Sequence, residues 1–170
     1  CQSLETINIK NNISSIGEYV FYNCKNLKSI QFPNSLSSIG NNCFSFSNII
    51  SIELPTSISR ILQYTFYKCS NLESAILPES IVNIEGYAFD NCNSLTEIKI
   101  PQNVQSIGMN AFGYCSMLSN ISISYGIKEI KQSAFSFCKN IETINLPYSI
   151  TSIEYSAFYS CQKLKSAIIP

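Results

Sequence analysis

The stretch CNSLTEIKIPQNVQSIGMNAFGY (92–114), continued by CSMLSNISISYGIKEIKQSAFSF (115–137) and CKNIETINLPYSITSIEYSAFYS (138–160), is one 23-residue unit written three times. Each segment reads C-x-x-L-x-x-I-x-L-P-x-x-I-x-x-I-x-x-x-A-F-x-x with few exchanges. A chain that repeats at a short fixed period folds as a stack of like units; no unit can bury its own apolar residues, so the core forms between neighbours. Working outward, Cys69, Cys92, Cys115, Cys138 and Cys161 stand 23 residues apart, as do Cys1 and Cys24. Leu4, Leu27, Leu72, Leu95, Leu118, Ile141 and Leu164 form one apolar column, and Phe21, Phe44, Phe66, Phe89, Phe112, Phe135 and Phe158 form another. The interval from Cys24 to Cys69 is 45, one short of two units. A residue is therefore missing near Phe46 to Ile50, and either Ile49 or Ile50 is the one that points inward.

A period of 23 lies in the range of about 20–29 residues that characterises leucine-rich repeats, and is too short for paired-helix arrays or propeller blades. The L-x-x-I-x-L stretch alternates as a strand with one buried face does, its β-branched residues suit a pleat, and the following proline ends the ladder. The expected fold is a leucine-rich-repeat solenoid, mainly β. LKSIQF, LTEIKI and IETINL are rungs of one parallel sheet, and short second strands or single helical turns make the return. Residues 1–170 form a single domain of seven full coils and a partial eighth, on the order of 35 Å long at roughly 4.8 Å per strand. No polar cap stands at either end, and the chain opens and stops on repeat residues, so the expectation is a piece of a longer array.

Composition narrows the function classes. Of 170 residues, 45% are hydrophobic, which is enough for a sizeable core. Only 13% are charged, with 11 Lys+Arg against 11 Asp+Glu. Without a basic stripe there is no footprint for nucleic acid, and none is expected as a partner. No apolar run reaches the roughly 20 residues of a membrane span, and the first residues carry no targeting signal.

The cysteine, the L-x-x-I-x-L-P rung, the spaced isoleucines and the A-F step together resemble the BspA-like, or treponemal-type, leucine-rich repeats, over the whole chain. The exceptions are local: Lys10 and Ser124 replace the proline, and Val20, Cys43 and Thr65 replace the alanine. The resemblance implies a cell-surface or secreted protein of a bacterium or parasitic protist that adheres to a protein or other host-surface ligand. The abundance of Asn and Ser suits a protist member. Self-association of coils into filaments and an intracellular scaffold are the alternatives.

The cysteines fall in one column, Cys43 excepted, and read as small apolar core residues. Stacked one strand spacing apart with parallel Cβ vectors they are placed neither for disulfides nor for a tetrahedral metal site. There is no histidine and no nucleophile or phosphate motif, so neither catalysis nor a cofactor is expected. The candidate binding face is the outward side of the rungs: Glu5, Lys28, Ser51, Glu53, Glu73, Glu97, Lys99, Asn120, Glu142, Asn145 and Lys165. Tyr19, Tyr22, Tyr64, Tyr67, Tyr87, Tyr155 and Tyr159 gather near the A-F step as a candidate aromatic edge for adhesion or lateral assembly. Asn12 and Asn120 head N-x-S triplets and are candidate glycosylation sites in a secreted chain.

Overall fold

The computed structural model describes residue 1 and residues 3–169 as a solenoid of short parallel strands, with no helix among the described residues. Pro170, the repeat residue on which the sequence stops, lies outside them. Along the chain the strands are β1 (Thr6–Asn8), β2 (Ser15–Ile16), β3 (Ser29–Gln31), β4 (Ser38–Ile39), β5 (Ser51–Glu53), β6 (Arg60–Ile61), β7 (Ser74–Ile76), β8 (Asn83–Ile84), β9 (Glu97–Ile100), β10 (Ser106–Ile107), β11 (Asn120–Ile123), β12 (Glu129–Ile130), β13 (Thr143–Asn145), β14 (Ser152–Ile153) and β15 (Ser166–Ile168). Odd-numbered strands are the rungs, and even-numbered strands are the second strands of the return.

Register follows the repeat. In β9 and β11, Ile98 faces Ile121 and Lys99 faces Ser122, so like residues stack on like. Ladder bonding joins the rungs two by two, as β1–β3, β5–β7, β9–β11 and β13–β15. Return strands β6, β8, β10, β12 and β14 form one continuous five-stranded sheet, and β2 pairs with β4. The proline after the rung closes the corner between them: the amides of Leu36, Ile58, Ile81, Val104 and Ile150 each donate to the carbonyl of the proline three residues earlier. Directly after β10, Gly108 passes so close to the preceding coil that a Cβ would stand 2.6 Å from backbone atoms of Glu85 and Gly86. Only glycine allows that approach.

The A-F step is a corner of unusual backbone. Each of seven coils holds two non-glycine residues at positive φ, four apart, from Tyr19 and Asn23 to Ser156 and Ser160. Left-handed geometry costs an L-residue roughly 1 kcal/mol, and the compensation is visible. Alternate amides, such as those of Tyr87, Phe89 and Asn91, donate to the next coil, to Met109, Ala111 and Gly113. Those between turn back on the carbonyl three residues earlier, as Cys92 does on Phe89. The same backbone aims every second side chain inward, so the phenylalanines make one stack of rings 5.2–5.6 Å apart and within 18° of parallel, from Phe21 to Phe158.

The missing residue is found between Ser47 and Ile49. Ser47 occupies the cysteine column and is buried; Ile49 is buried while Ile50 is 39% exposed. The Ser47 hydroxyl lies 3.4 Å from the Cys69 thiol, so a polar group fills the column at the irregular coil.

The other column cysteines explain their own choice. Cys69, Cys92, Cys115, Cys138 and Cys161 donate their thiol hydrogens, at 3.0–3.2 Å, to the carbonyls of Phe44, Phe66, Phe89, Phe112 and Phe135 in the preceding coil. In four coils that carbonyl also accepts the amide of the cysteine in its own coil, so the thiol takes the second lone pair. All eight cysteines are free, and only Cys1 is exposed. Burial pushes the Cys43 and Cys69 thiols up to about 12 and Cys161 to about 11, which removes the reactive thiolate. Iodoacetamide on the native chain is therefore expected to modify Cys1 alone, and the remaining seven only in denaturant. Rapid native modification of Cys92 or Cys115 by peptide mass mapping would contradict the thiol ladder.

Candidate functional site

All eleven rung positions of the candidate face are exposed, because alternation turns them away from the isoleucine and leucine columns. Their charges are partly spent on each other. Lys28 pairs with Glu5 at 3.7 Å and Lys165 with Glu142 at 3.1 Å across adjacent coils, and Lys99 reaches Glu79 at 3.5 Å. Glu53, Glu73 and Glu97 have no cation within ion-pair distance among the described residues. Coils 3 to 5 thus carry an uncompensated acidic strip.

Beside that strip lies a dip of about 350 Å³ between β7, β9 and β11, lined by Ser74, Ala75, Ile76, Leu77, Glu97, Ile98, Lys99, Asn120 and Ser122. It opens where the paired ladders β5–β7 and β9–β11 abut. Ala75 adds to it, standing in a column where Ile30, Ile52, Ile98, Ile121 and Ile144 fill more volume. Ile76 is 59% exposed in a column that is otherwise polar from Asn8 to Asn145. A wider hollow of about 430 Å³ opens at the equivalent break between β3 and β5, near Gln31, Glu53 and Thr56.

The corner edge holds the aromatic residues. Tyr19, Tyr22, Phe46, Tyr67, Tyr64 and Tyr87 form a continuous chain of ring contacts 4.8–5.6 Å long across coils 1 to 4. Tyr114, Phe137 and Tyr159 form a second group, at 4.4 and 5.4 Å. Five of the seven expected tyrosines join the first group and Tyr159 the second; Tyr155, 79% exposed, stands in the column before the ribbon and has no ring partner among the described residues. Phe46, Tyr114 and Phe137 are the residues that sequence reasoning missed. Each sits at positive φ, where no propensity rule places an aromatic side chain.

Two lysines meet on this edge. The Lys25 and Lys68 ammonium groups lie 5.7 and 5.3 Å from the centre of the Phe46 ring, and Lys68 is 5.3 Å from that of Tyr67. Beneath them Asp90 is only 4% exposed. Its Oδ2 accepts from the Asn91 side chain at 2.7 Å, and its Oδ1 has no hydrogen-bond partner among the described residues. Burial pushes this carboxyl up to about 6, against the weaker pull of Asn91 and Lys68. Asn12 and Asn120 are both exposed, Asn12 in a turn and Asn120 on β11 at the lip of the dip.

A family model for the BspA type leucine rich repeat region matches residues 1–117 and 63–170. Among solved structures, the chain is similar to a leucine-rich repeat protein from Bacteroides ovatus, at 26% identity and a TM-score of 0.80 over 96% of this chain and 49% of that one. It is similar to the T. pallidum leucine rich repeat protein, at 26% identity and a TM-score of 0.85 over 94% of this chain and 77% of that one. A leucine rich cell surface protein from Faecalibacterium prausnitzii also matches, at 27% identity and a TM-score of 0.60 over all of this chain and 55% of that one. The chain spans about half the length of the first and third of these. No protein of curated function matches.

Proposed function

Because the chain belongs to the BspA type leucine rich repeat family along its whole length, we propose that it is the binding portion of a cell-surface or secreted adhesion protein. Its rung face would dock a protein that presents an apolar side chain beside basic residues. The observation that carries this reading is Ile76, an exposed apolar residue in a dip of a polar face, next to the unpaired carboxylates of Glu73 and Glu97. An apolar anchor entering a dip while charges match around it is how interface hot spots are built. The cell-surface description of the Faecalibacterium prausnitzii relative supports the location.

The test is retention of the purified chain on immobilised matrix proteins and on a cultured cell layer. Ile76→Glu is expected to weaken retention at least about tenfold, or ~1.4 kcal/mol, with an unchanged thermal midpoint because the side chain is outside the core. Retention equal to that of the unaltered chain would overturn the docking site, and failure of an impermeant reagent to label the protein on intact cells would overturn the location. A glycan on Asn120 would cover the dip, so the reading requires that asparagine bare, whereas one on Asn12 is compatible.

A further inference from the structure

The corner edge differs in kind from the rung face. In coils 2 to 6 every second amide of the A-F step is committed to the next coil and those between to their own turn, so the step itself offers an added strand no free donor. Recognition on the step itself falls to side chains. A cleft of about 270 Å³ on this edge is lined by Lys25, Phe46, Lys68, Ser70, Asn91 and Asn93. Neither lysine has a carboxylate within ion-pair distance among the described residues; Asp90, beneath Lys68, is buried and faces the interior. Two exposed cations held over one ring, rimmed by amides and a hydroxyl, form a site for an anion carried on a group with a flat apolar face.

We propose that this cleft binds a sulfated polysaccharide. A sulfate ester brings a full charge and three acceptor oxygens, enough to take an ammonium and a side-chain amide together. The apolar face of a sugar ring has Phe46 to rest on. In the chain of rings from Tyr19 to Tyr87, the contacts Tyr22–Phe46, Phe46–Tyr67 and Tyr64–Tyr87 step from one coil to the next at 4.8–5.4 Å, aromatic surface on which further units of a linear polymer can rest. An acidic peptide would find no free donor in the A-F step for its backbone carbonyls and brings no flat apolar face to Phe46, and is the weaker fit. The chain contains its own contrast: Phe137 and Tyr159 reproduce the Phe46–Tyr67 geometry, 5.4 Å and 81° against 5.4 Å and 83°, but Ser116 and Ser160 stand where Lys25 and Lys68 would be. The assignment rests on the chain being an outward-facing binding module; it does not depend on the Ile76 dip.

Calorimetric titration of the whole chain would use a heparin-type tetrasaccharide, its desulfated counterpart and a short polyglutamate. The sulfated sugar is expected to bind at least tenfold more tightly than either other probe, and more weakly as salt rises. Lys25→Gln with Lys68→Asn should remove at least tenfold of that affinity; asparagine suits the positive φ at position 68. Phe46→Asn, which keeps the same backbone geometry, should cost severalfold, and Ile76→Glu should change nothing. Equal binding of the desulfated sugar, equal or tighter binding of polyglutamate, or full affinity in the double lysine variant at an unchanged thermal midpoint would each overturn the proposal.

Discussion

Phe112→Ala is expected to cost the fold about 4 kcal/mol, the middle of the range for an aromatic residue truncated in a core. Phe112 is fully buried and stacks on Phe89 at 5.2 Å and on Phe135 at 5.3 Å, within 4° of parallel on each side. The truncation opens a cavity and breaks two ring contacts, each worth about 1 kcal/mol beyond area burial. In a solenoid that loss has a second consequence. Stability is close to a sum of nearest-neighbour interfaces, and Phe112 belongs to the interfaces on both sides of its coil. Urea unfolding followed by circular dichroism should show a lower midpoint and a shallower slope, since coils on either side of the defect no longer melt together. Phe158 is half-buried and has one stacked neighbour, Phe135 at 5.6 Å, among the described residues, so Phe158→Ala should cost about half as much. Equal losses at the two positions would mean that the ring stack is not the energetic axis of the fold.

The inward columns were legible because burial acts on every coil alike. Leu95, Ile98, Ile107 and Phe112 repeat at fixed spacing, and alternation alone assigned Glu97 and Lys99 to the opposite face. The cysteine column was legible as core, but its pairing with phenylalanine carbonyls was not, since thiol donation depends on where the preceding coil aims an oxygen. At the irregular coil the spacing left Ile49 and Ile50 undecided; the fold chose Ile49 because Ser47 had kept its place in the column and the loss fell after it. The backbone of the corner was illegible, although most of its tyrosines were not. Left-handed backbone is announced by glycine or asparagine, and only Asn23, Asn42, Asn91 and Asn110 gave that sign among fourteen such residues. Nothing in the spacing therefore singled out Phe46, Tyr114 and Phe137, or joined Lys25 to Lys68. The two lysines meet because the intercoil register carries residues 43 apart in sequence to one ring.

The chain's charges divide as its surfaces do. Among the described residues the rung face leaves Glu53, Glu73 and Glu97 without ion-pair partners and the corner edge leaves Lys25 and Lys68 without them, and a net charge of zero hides two opposed fields. A module of this kind offers one partner an acidic, faintly apolar face and another a cationic, aromatic edge. Occupation of one surface need not block the other, which a titration of both probes in sequence would register as additive heats.

Asp90→Asn is expected to stabilise the chain by about 2 kcal/mol at pH 8 and to flatten its pH dependence. The carboxyl is buried with one oxygen unpartnered, in a place opened by the next coil: a Cβ on Gly113 would come 2.4 Å from Oδ1. Desolvation holds its pKa near 6 in the fold against 3.8 as the ordinary value. A raised pKa means the fold prefers the protonated form. The contribution of this group is thus fully present below about pH 4 and is lost as pH rises through about 6, the reverse of the usual paired carboxylate. The gap corresponds to roughly 3 kcal/mol, of which about 1 remains with an amide that is itself incompletely bonded. Urea midpoints at pH 8 and pH 4.5 separate the cases: the variant should gain at the higher pH and draw level at the lower. A loss at pH 8 would show that Asp90 is held as an ionised partner of Lys68 and Asn91, and that the corner is built around its charge.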